Sequence, residues 1–415
     1  MSALAQYDVA DLGARAETMI NALGVISAEP GRLARLFLTP EHRRAADLVA
    51  AWMKEAGLAV TEDALGTVRG HLPGMSPRKL LVGSHIDTVI DAGRYDGIFG
   101  VVAGILAARH IARSGQIPPL SVDVLAFGDE EGSRFPTTLS SSLAVAGHFD
   151  MAQLSQPDRD GVTLADAVRA YGNQPENIAS SAYKRDGVAA YVELHIEQGP
   201  VLEARQQPLG VVTAIAGQTY LTVELAGESG HAGTVPMNLR RDALAGAAEL
   251  ISFIEGVAKG YREGVVATVG KLALSPNAAN VIPANVTFTL DLRTTADETR
   301  HAIAEKFRME ARAVAERRGL GLAITQTRNT PMTLGDMRLQ DGLARAAAAV
   351  GFDAPRLGSG AGHDGQAMVK LCPVGMLFVR CRGGISHNPA EYASPQDMGI
   401  AIAALIEFLK QFRDF

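Results

Sequence analysis

Four apolar segments, spread along the chain, each lead into a histidine or a carboxylate. They are short and rich in branched aliphatic residues, so they predict buried strands. The segments are 80–82, 122–127, 189–194 and 374–379. Because open α/β sheets bind their ligands at the carboxyl ends of their strands, we expect the polar residues that follow to share one edge of a sheet. A single pair of this kind is usually a surface feature, but four in one chain predict a functional centre.

The residue types at these strand ends are those that bind divalent metals. In chain order they are His85, Asp87, Asp96, Glu130, Glu131, His195 and His387. Five of them, without Asp87 and Glu130, exceed the needs of one tetrahedral ion and suit two ions that share a carboxylate. We expect Asp96 to be the bridge, because it stands on a short turn, and Glu130 to be the general base. Two such ions would activate water and polarise a carbonyl, which is hydrolysis of an amide-like bond.

Three longer motifs add to this pattern and resemble a known family. They are 193–200 (ELHIEQGP), 230–237 (GHAGTVPM) and 280–283 (NVIP). Together with the order of the ligand residues, they resemble the dinuclear metallo-amidohydrolases related to aminoacylases and bacterial zinc carboxypeptidases. The resemblance covers nearly the whole chain. It is strongest to the branch that cleaves ureido (N-carbamoyl) groups, which includes allantoate amidohydrolase, N-carbamoyl-L-amino-acid hydrolase, ureidoglycolate amidohydrolase and β-ureidopropionase.

The resemblance implies how the metal ligands are divided. His85 and His195 would hold one ion, Glu131 and His387 would hold the other, and Asp96 would bind both. The implied cofactor is two divalent ions per subunit. Mixed imidazole and carboxylate ligands suit several metals, so we favour Mn²⁺ and keep Zn²⁺ and Co²⁺ as alternatives.

The resemblance also implies residues for catalysis and for substrate binding. Glu130 would move the proton and Asp87 would orient a metal ligand. The residues implied to hold the substrate are Gln218, His231, Asn280 and Arg293. Arg293 can take a carboxylate in a bidentate manner, and His231 can stabilise charge on the ureido oxygen as a further catalytic group. The implied partner is therefore a small anionic ureido compound.

Two segments favour one substrate over its relatives. Segments 215–219 and 376–391 look most like allantoate amidohydrolases. We therefore predict hydrolysis of allantoate to ureidoglycine, ammonia and carbon dioxide, in purine catabolism. An N-carbamoyl-L-amino acid is the alternative substrate, and ureidoglycolate amidohydrolase, an aminopeptidase and a non-catalytic binding module are lesser alternatives. The chain departs from its relatives at Thr219 and Tyr220, where they often carry Arg, and at Gly365, where Ala is more usual.

The hydrophobic pattern changes near residue 214 and predicts two domains. Before it, helices alternate with apolar strands, which is typical of a layered α/β domain. After it, two-sided strands and helices follow in the order β-α-β-β-α-β. We predict an α/β/α metallopeptidase-like catalytic domain at 1–213 and 331–415, and an inserted α+β (ferredoxin-like) domain at 214–330. The resemblance implies that the insert is a lid and the dimerisation surface of a homodimer, in which His231 is the candidate to reach the neighbouring active site.

Composition favours a cytoplasmic enzyme. The chain has 415 residues, which is ample for two domains. Its formal net charge is −6 and it has no basic tract, which argues against nucleic acid as a partner. Segment 1–8 lacks the features of a secretory signal, and the apolar stretch 98–108 is too short to span a bilayer, so we expect no membrane partner. The two cysteines, Cys372 and Cys381, are expected to be reduced and mostly buried.

Overall fold

The fold is described from a computed structural model, which describes residues 6–261 and 264–414. Its helices are α1 Val9–Gly24, α2 Pro40–Glu55, α3 Ile98–Ser114, α4 Ser140–Val145, α5 Leu164–Ala170, α6 Val201–Ala204, α7 Ala243–Lys259, α8 Asp297–Arg318, α9 Met337–Ala349, α10 Gly365–Met368 and α11 Pro395–Gln411. Its strands are β1 Ala59–Glu62, β2 Val68–Leu72, β3 Ser76–His85, β4 Leu120–Phe127, β5 Val188–Ile196, β6 Leu209–Ile215, β7 Gly217–Ala226, β8 Val265–Thr268, β9 Leu272–Ser275, β10 Asn285–Thr294, β11 Gly321–Thr330, β12 Thr333–Leu334, β13 Arg356–Ser359 and β14 Val374–Val379.

The chain divides into two units. The first comprises Met1–Thr213, Leu334–Leu357 and Ala361–Phe415, and the second comprises Ala214–Thr333 and Gly358–Gly360. Within the described residues, no helix combines the length and the hydrophobicity needed to cross a membrane.

The four apolar segments of the sequence form neighbouring strands in the central sheet of the first unit. The order of the sheet is β1-β2-β4-β3-β5-β14-β6-β12, with β13 beside β6. The strands β4, β3, β5 and β14 are parallel to their neighbours within this set. Parallel strands end at the same edge of a sheet, so the polar residues after all four segments meet there. The short outer strands are antiparallel where they join this set, β2 to β4 and β6 to β14.

Helices cover both faces of the central sheet. Every residue of β4, β5 and β14 is buried, as expected for strands enclosed on both sides. Alternate residues of β3 enter different cores: Leu80 and Val82 lie in one that includes α1, α3 and α11, and Leu81 lies in another that includes residues of α4 and α10. This arrangement confirms the layered α/β/α fold. The two cysteines are free and buried, as expected.

The second unit is an antiparallel sheet with two helices on one face. The sheet order is β11-β7-β10-β8, with β9 beside β10. Apolar residues of β7 and β10 pack against α7 and α8. The sequence pattern did not predict β9. This strand and β8 pair with successive halves of β10, at 285–288 and 291–294, so the two together occupy the place of one strand.

Candidate metal centre

The candidate ligands of the first unit converge at the carboxyl edge of the parallel strands. His85 is the last residue of β3, and His195 is the second-last residue of β5, its neighbour in the sheet. Glu130 and Glu131 lie on the turn that follows β4, the neighbour of β3 on its other side. Strand order therefore brings together residues that lie up to 110 positions apart in the sequence.

Asp96 lies between two sets of imidazole and carboxylate groups. Its Oδ1 atom is 3.0 Å from Nε2 of His195 and 3.8 Å from Nε2 of His85. Its Oδ2 atom is 3.2 Å from Nε2 of His387, and that nitrogen is 3.5 Å from Oε2 of Glu131. Each oxygen of one carboxylate thus faces a different set of ligands. This is the geometry that a bridging carboxylate needs.

The donor groups fit two divalent ions. Ligand atoms of His85, Asp96 and His195 lie within 4.8 Å of one another, and so do those of Asp96, Glu131 and His387. These two sets share only Asp96. His85 also groups with both Glu130 and Glu131, so either glutamate is near the first set, but only Glu131 joins His387. Imidazole and carboxylate donors of this kind suit Mn²⁺, Zn²⁺ or Co²⁺.

The hydrogen bonds of two imidazoles direct their Nε2 atoms toward this site. Nδ1 of His195 lies 2.9 Å from the carbonyl oxygen of Ile196, and Nδ1 of His85 lies 3.1 Å from that of Asp87. Because a carbonyl only accepts, Nδ1 carries the hydrogen in both rings, and a neutral ring then has its lone pair on Nε2. The backbone N–H of Gly97 donates to Nε2 of His195 at 3.2 Å, which also requires a lone pair there.

Gly97 allows the turn between Asp96 and α3 to approach His85. Its φ is +66°, in the left-handed region that favours glycine. A Cβ atom at this position would lie 2.4 Å from atoms of the His85 ring. Any other residue would therefore displace the His85 imidazole or the turn itself.

Asp87 holds the turn that carries the two glutamates. Its Oδ1 accepts the backbone N–H of Glu130 and its Oδ2 accepts that of Glu131, both at 3.2 Å. Its Oδ1 is also 3.5 Å from Nδ1 of His85. The sequence led us to expect that Asp87 orients a ligand. The structure adds that this one buried carboxylate also accepts the backbone N–H groups of both glutamates.

Burial and nearby charges shift the pKa values of the acidic groups in different directions. Burial, together with the nearby carboxylates of Glu131 and Asp364, raises the pKa of Glu130 well above its usual range. Burial and the charge of Asp96 raise the pKa of Glu131 to about 7. Burial also opposes the charge of Asp96, but the imidazoles of His195 and His387 hold its pKa well below the usual range. A raised pKa suits a group that takes up a proton and releases it within one catalytic cycle.

Sequence reasoning missed the groups that orient Asp96. Gln198 Nε2 donates to Oδ2 of Asp96 at 2.8 Å, and the Ser386 hydroxyl donates to the same atom at 3.0 Å. Glu391 accepts the backbone N–H groups of Tyr95 and Asp96 at 2.7 and 3.0 Å. The positions of Gln198, three residues after His195, and of Ser386, directly before His387, were the available signal.

A second missed group lies behind His195. Glu193, two residues earlier on the same strand face, accepts the Ser84 hydroxyl at 2.8 Å and the backbone N–H of Gly365 at 3.2 Å. The ring of His363 packs edge-on against His195, with the ring centres 4.5 Å apart. The spacing of Glu193 was a usable signal, whereas His363 follows a four-residue strand, β13, that the apolar pattern did not predict.

The implied substrate residues lie in the second unit. His231 and Asn280 lie on neighbouring segments, because the backbone N–H of Ala232 donates to the Asn280 carbonyl at 2.9 Å. Nδ1 of His231 accepts the backbone N–H of Gly233 at 3.0 Å. The hydrogen of a neutral ring is therefore on Nε2. His231 is exposed, so this N–H is free to donate to a ligand.

Arg293 lies opposite Gln218 in the sheet, so both side chains share the face away from the helices. Its guanidinium is held by the Asp291 carboxylate, by the Tyr220 hydroxyl at 2.8 Å and by the Gly360 carbonyl at 2.9 Å. These contacts use four of its five N–H groups. One Nη1 hydrogen is left for a substrate in this arrangement, rather than the bidentate pair that we expected.

Comparisons with known proteins agree on one family. Residues 81–411 match the family model described as peptidase family M20/M25/M40. The chain is 41% identical to allantoate deiminase of Arabidopsis thaliana, over 94% of this chain and 81% of that protein. It is 40% identical to N-carbamoyl-L-amino acid amidohydrolase of Geobacillus stearothermophilus, over 92% and 94%. Among solved structures, a hydantoinase/carbamoylase family amidase from Burkholderia multivorans has a TM-score of 0.89 at 32% identity, over 96% of this chain and 97% of that one.

Proposed function

Because this chain belongs to peptidase family M20/M25/M40, with amidohydrolases among its relatives at about 40% identity, we propose that it hydrolyses a ureido C–N bond with the help of divalent metal ions. The observation that carries the proposal is the position of Asp96. Its two oxygens face two separate sets of metal-binding groups, and Glu130 lies beside one of them, with Oε2 3.9 Å from Nε2 of His85.

The division of roles follows from these contacts. One ion would be held by His85, Asp96 and His195, and the other by Asp96, Glu131 and His387. When bound, the ions supply Lewis-acid polarisation of the ureido carbonyl and make water easier to deprotonate. Mn²⁺ is the ion that we propose, and Zn²⁺ or Co²⁺ would suit the same donors.

The protein's own groups then move the proton and orient the reactants. The Glu130 carboxylate takes a proton from the attacking water as the oxygen bonds to the ureido carbon. It delivers that proton to the departing nitrogen as the C–N bond breaks. His231 would donate through Nε2 to the ureido oxygen, and Arg293, with Asn280 and Gln218, would hold the anionic end of the substrate.

Allantoate is the substrate that we propose. The proposal is supported by the 41% sequence identity to an allantoate deiminase and by the sequence features of segments 215–219 and 376–391. Breaking one C–N bond of the ureido group leaves a carbamate, which decomposes as its remaining C–N bond breaks, so the products would be ureidoglycine, ammonia and carbon dioxide. An N-carbamoyl-L-amino acid is the second candidate, because the relative named for that substrate is 40% identical over a similar share of the chain.

The wider organisation is part of the same proposal. We assign the catalytic role to 1–213 and 331–415, and the roles of lid and dimerisation surface to 214–330. The protein would be a cytoplasmic homodimer. Isologous pairing through an unpaired sheet edge is a common solution for such an insert.

Ammonia release tests the proposal. Manganese-loaded protein should release ammonia from allantoate faster than from N-carbamoyl-L-amino acids or ureidoglycolate, and metal-free protein should release none. The Glu130→Gln variant is the matched control, since it keeps the metal ligands. If peptides are cleaved and no ureido compound is, the protein is an aminopeptidase and the proposal is wrong.

A further inference from the structure

The turn between β4 and the two glutamates contains an unusual residue, Asp129. Its φ is +63°, a conformation that non-glycine residues seldom adopt. Its side chain is fully buried, and within the described residues its Oδ1 atom has no hydrogen-bond partner. Both features are unfavourable for stability. They occur together at the residue that directly precedes the proposed general base.

A run of hydroxyl residues holds this turn from one side. We call residues 137–141 the hydroxyl segment. Thr137 donates to Oδ2 of Asp129 at 2.9 Å, and Ser140 donates to the same oxygen. The backbone N–H of Leu139 donates to the carbonyl of Asp129 at 2.5 Å. Both the side chain and the main chain of Asp129 are thus tied to one short segment.

The residues on either side of Asp129 are tied to the same segment. The Ser141 hydroxyl donates to the carbonyl of Gly128 at 2.6 Å and accepts its N–H at 2.7 Å. The Thr138 hydroxyl donates to the carbonyl of Glu130 at 2.5 Å. Residues 128–130 therefore each bond to the hydroxyl segment.

Asp87 holds the turn from the other side, through the backbone N–H groups of Glu130 and Glu131. The main chain of Glu130 is thus fixed at both its N–H and its carbonyl. With the backbone held in this way, the two neighbouring glutamates point to different groups. Glu130 lies beside His85, at 3.9 Å, and Glu131 lies beside His387, at 3.5 Å.

We propose that Asp129 is a positioning residue for Glu130: bonded to the hydroxyl segment, it holds the left-handed turn that directs the base to its place beside His85. This inference rests on the proposed role of Glu130 as the general base. Small displacements of a catalytic group are costly, since about 1 Å can reduce the rate about 10²-fold.

Three substitutions separate the hydrogen bonds of the Asp129 side chain from the left-handed conformation of its backbone. Asp129→Asn keeps a side-chain oxygen for the hydroxyls and tolerates the left-handed conformation, so kcat should stay within about threefold of the original. Asp129→Gly keeps only the conformation, and kcat should fall about tenfold. Asp129→Ala keeps neither, and kcat should fall about 10²-fold. In all three variants KM should change less than about twofold, and the metal content should stay the same.

Two controls show whether the effect passes through Glu130. Asp166→Ala removes another carboxylate that accepts a threonine hydroxyl, from Thr163 at 2.7 Å, and it should leave kcat unchanged. In the Glu130→Gln background, Asp129→Ala should cause no further loss, because the group that it positions is already inactive. If Asp129→Ala does not fold, Ser140→Ala, which removes one hydroxyl, should still lower kcat and show the same dependence on Glu130.

The inference is wrong if a folded, metal-loaded Asp129→Ala variant keeps full kcat. It is also wrong if the loss is the same size in the Glu130→Gln background, or if the loss follows metal content. These results differ from failure of the proposed function. In that case the unsubstituted protein would release no ammonia from ureido compounds, or Glu130→Gln would remain active.

Discussion

Two substitutions of Asp87, to Asn and to Ala, should slow catalysis by different amounts. The size of each loss follows from the hydrogen bonds that it removes. The carboxylate accepts two main-chain N–H groups, from Glu130 and Glu131, each at 3.2 Å. A hydrogen bond to a charged group contributes about 1.5–3 kcal/mol, and these long bonds belong at the lower end, at about 1.5 kcal/mol each. Asp87→Asn keeps one acceptor oxygen and loses one bond, whereas Asp87→Ala loses both.

These energies convert into rates if the two bonds hold the glutamates in their reactive positions. About 1.4 kcal/mol corresponds to a factor of ten, so kcat/KM should fall about tenfold in Asp87→Asn and about 10²-fold in Asp87→Ala. Both variants should also be less stable, because a buried N–H is left without an acceptor. The assay is ammonia release from allantoate by metal-loaded protein, with thermal unfolding measured in parallel.

Asp63 offers a matched control. Its carboxylate also accepts two main-chain N–H groups, from Leu65 at 2.9 Å and Thr67 at 3.0 Å, but it contacts none of the candidate metal ligands. Both bonds go to one oxygen, Oδ1, so Asp63→Ala is the variant that removes them, and it should lower stability and leave kcat/KM unchanged. The reasoning is refuted if both Asp87 variants, folded and metal-loaded, stay within about threefold of the original kcat/KM.

Three further predictions concern the ions, the two glutamates and the partner chain. Metal analysis should find up to two ions per chain. Asp96→Ala should lose both ions, and His387→Ala should lose mainly one. Active protein that never holds more than one ion would contradict the dinuclear site. Glu130→Gln should keep its metal and lose about 10²–10⁴-fold in turnover, whereas Glu131→Gln should lose metal, and exchanged phenotypes would reverse our assignment of the pair. Mixing inactive Glu130→Gln and His231→Ala subunits should restore activity if His231 acts across a dimer; with subunit exchange demonstrated, continued inactivity would place His231 within its own chain or outside catalysis.

Local patterns were sufficient to predict the four central strands of the first unit. The strands β3, β4, β5 and β14 follow from short apolar runs, because enclosed strands need side chains that bury on both faces. The helix α3 follows from the apolar stretch after the Asp96 turn. The strand β9 was not predicted, since its four residues are mostly exposed and leave no apolar pattern.

The supporting residues of the site were harder to predict than the candidate ligands. The candidate ligands stand directly after apolar strands or in recognisable motifs, so position in the sequence was informative. Glu391 and the hydroxyl segment act through hydrogen bonds to the backbone of other segments. Such bonds depend on which segments meet in space, and residue type alone carries little information about them.

The sequence alone determined the four central strands, the residue types that stand at their ends, and the chemistry that those types allow. The tertiary structure decided which strands are neighbours, and through them that one oxygen of Asp96 faces His85 and His195 while the other faces His387. It also decided that Arg293 has most of its donors occupied by Asp291, Tyr220 and Gly360. The physical reason is that propensity and periodicity act over a few residues, whereas strand order, side-chain direction and hydrogen-bond partners are set by packing between segments that are distant in the chain.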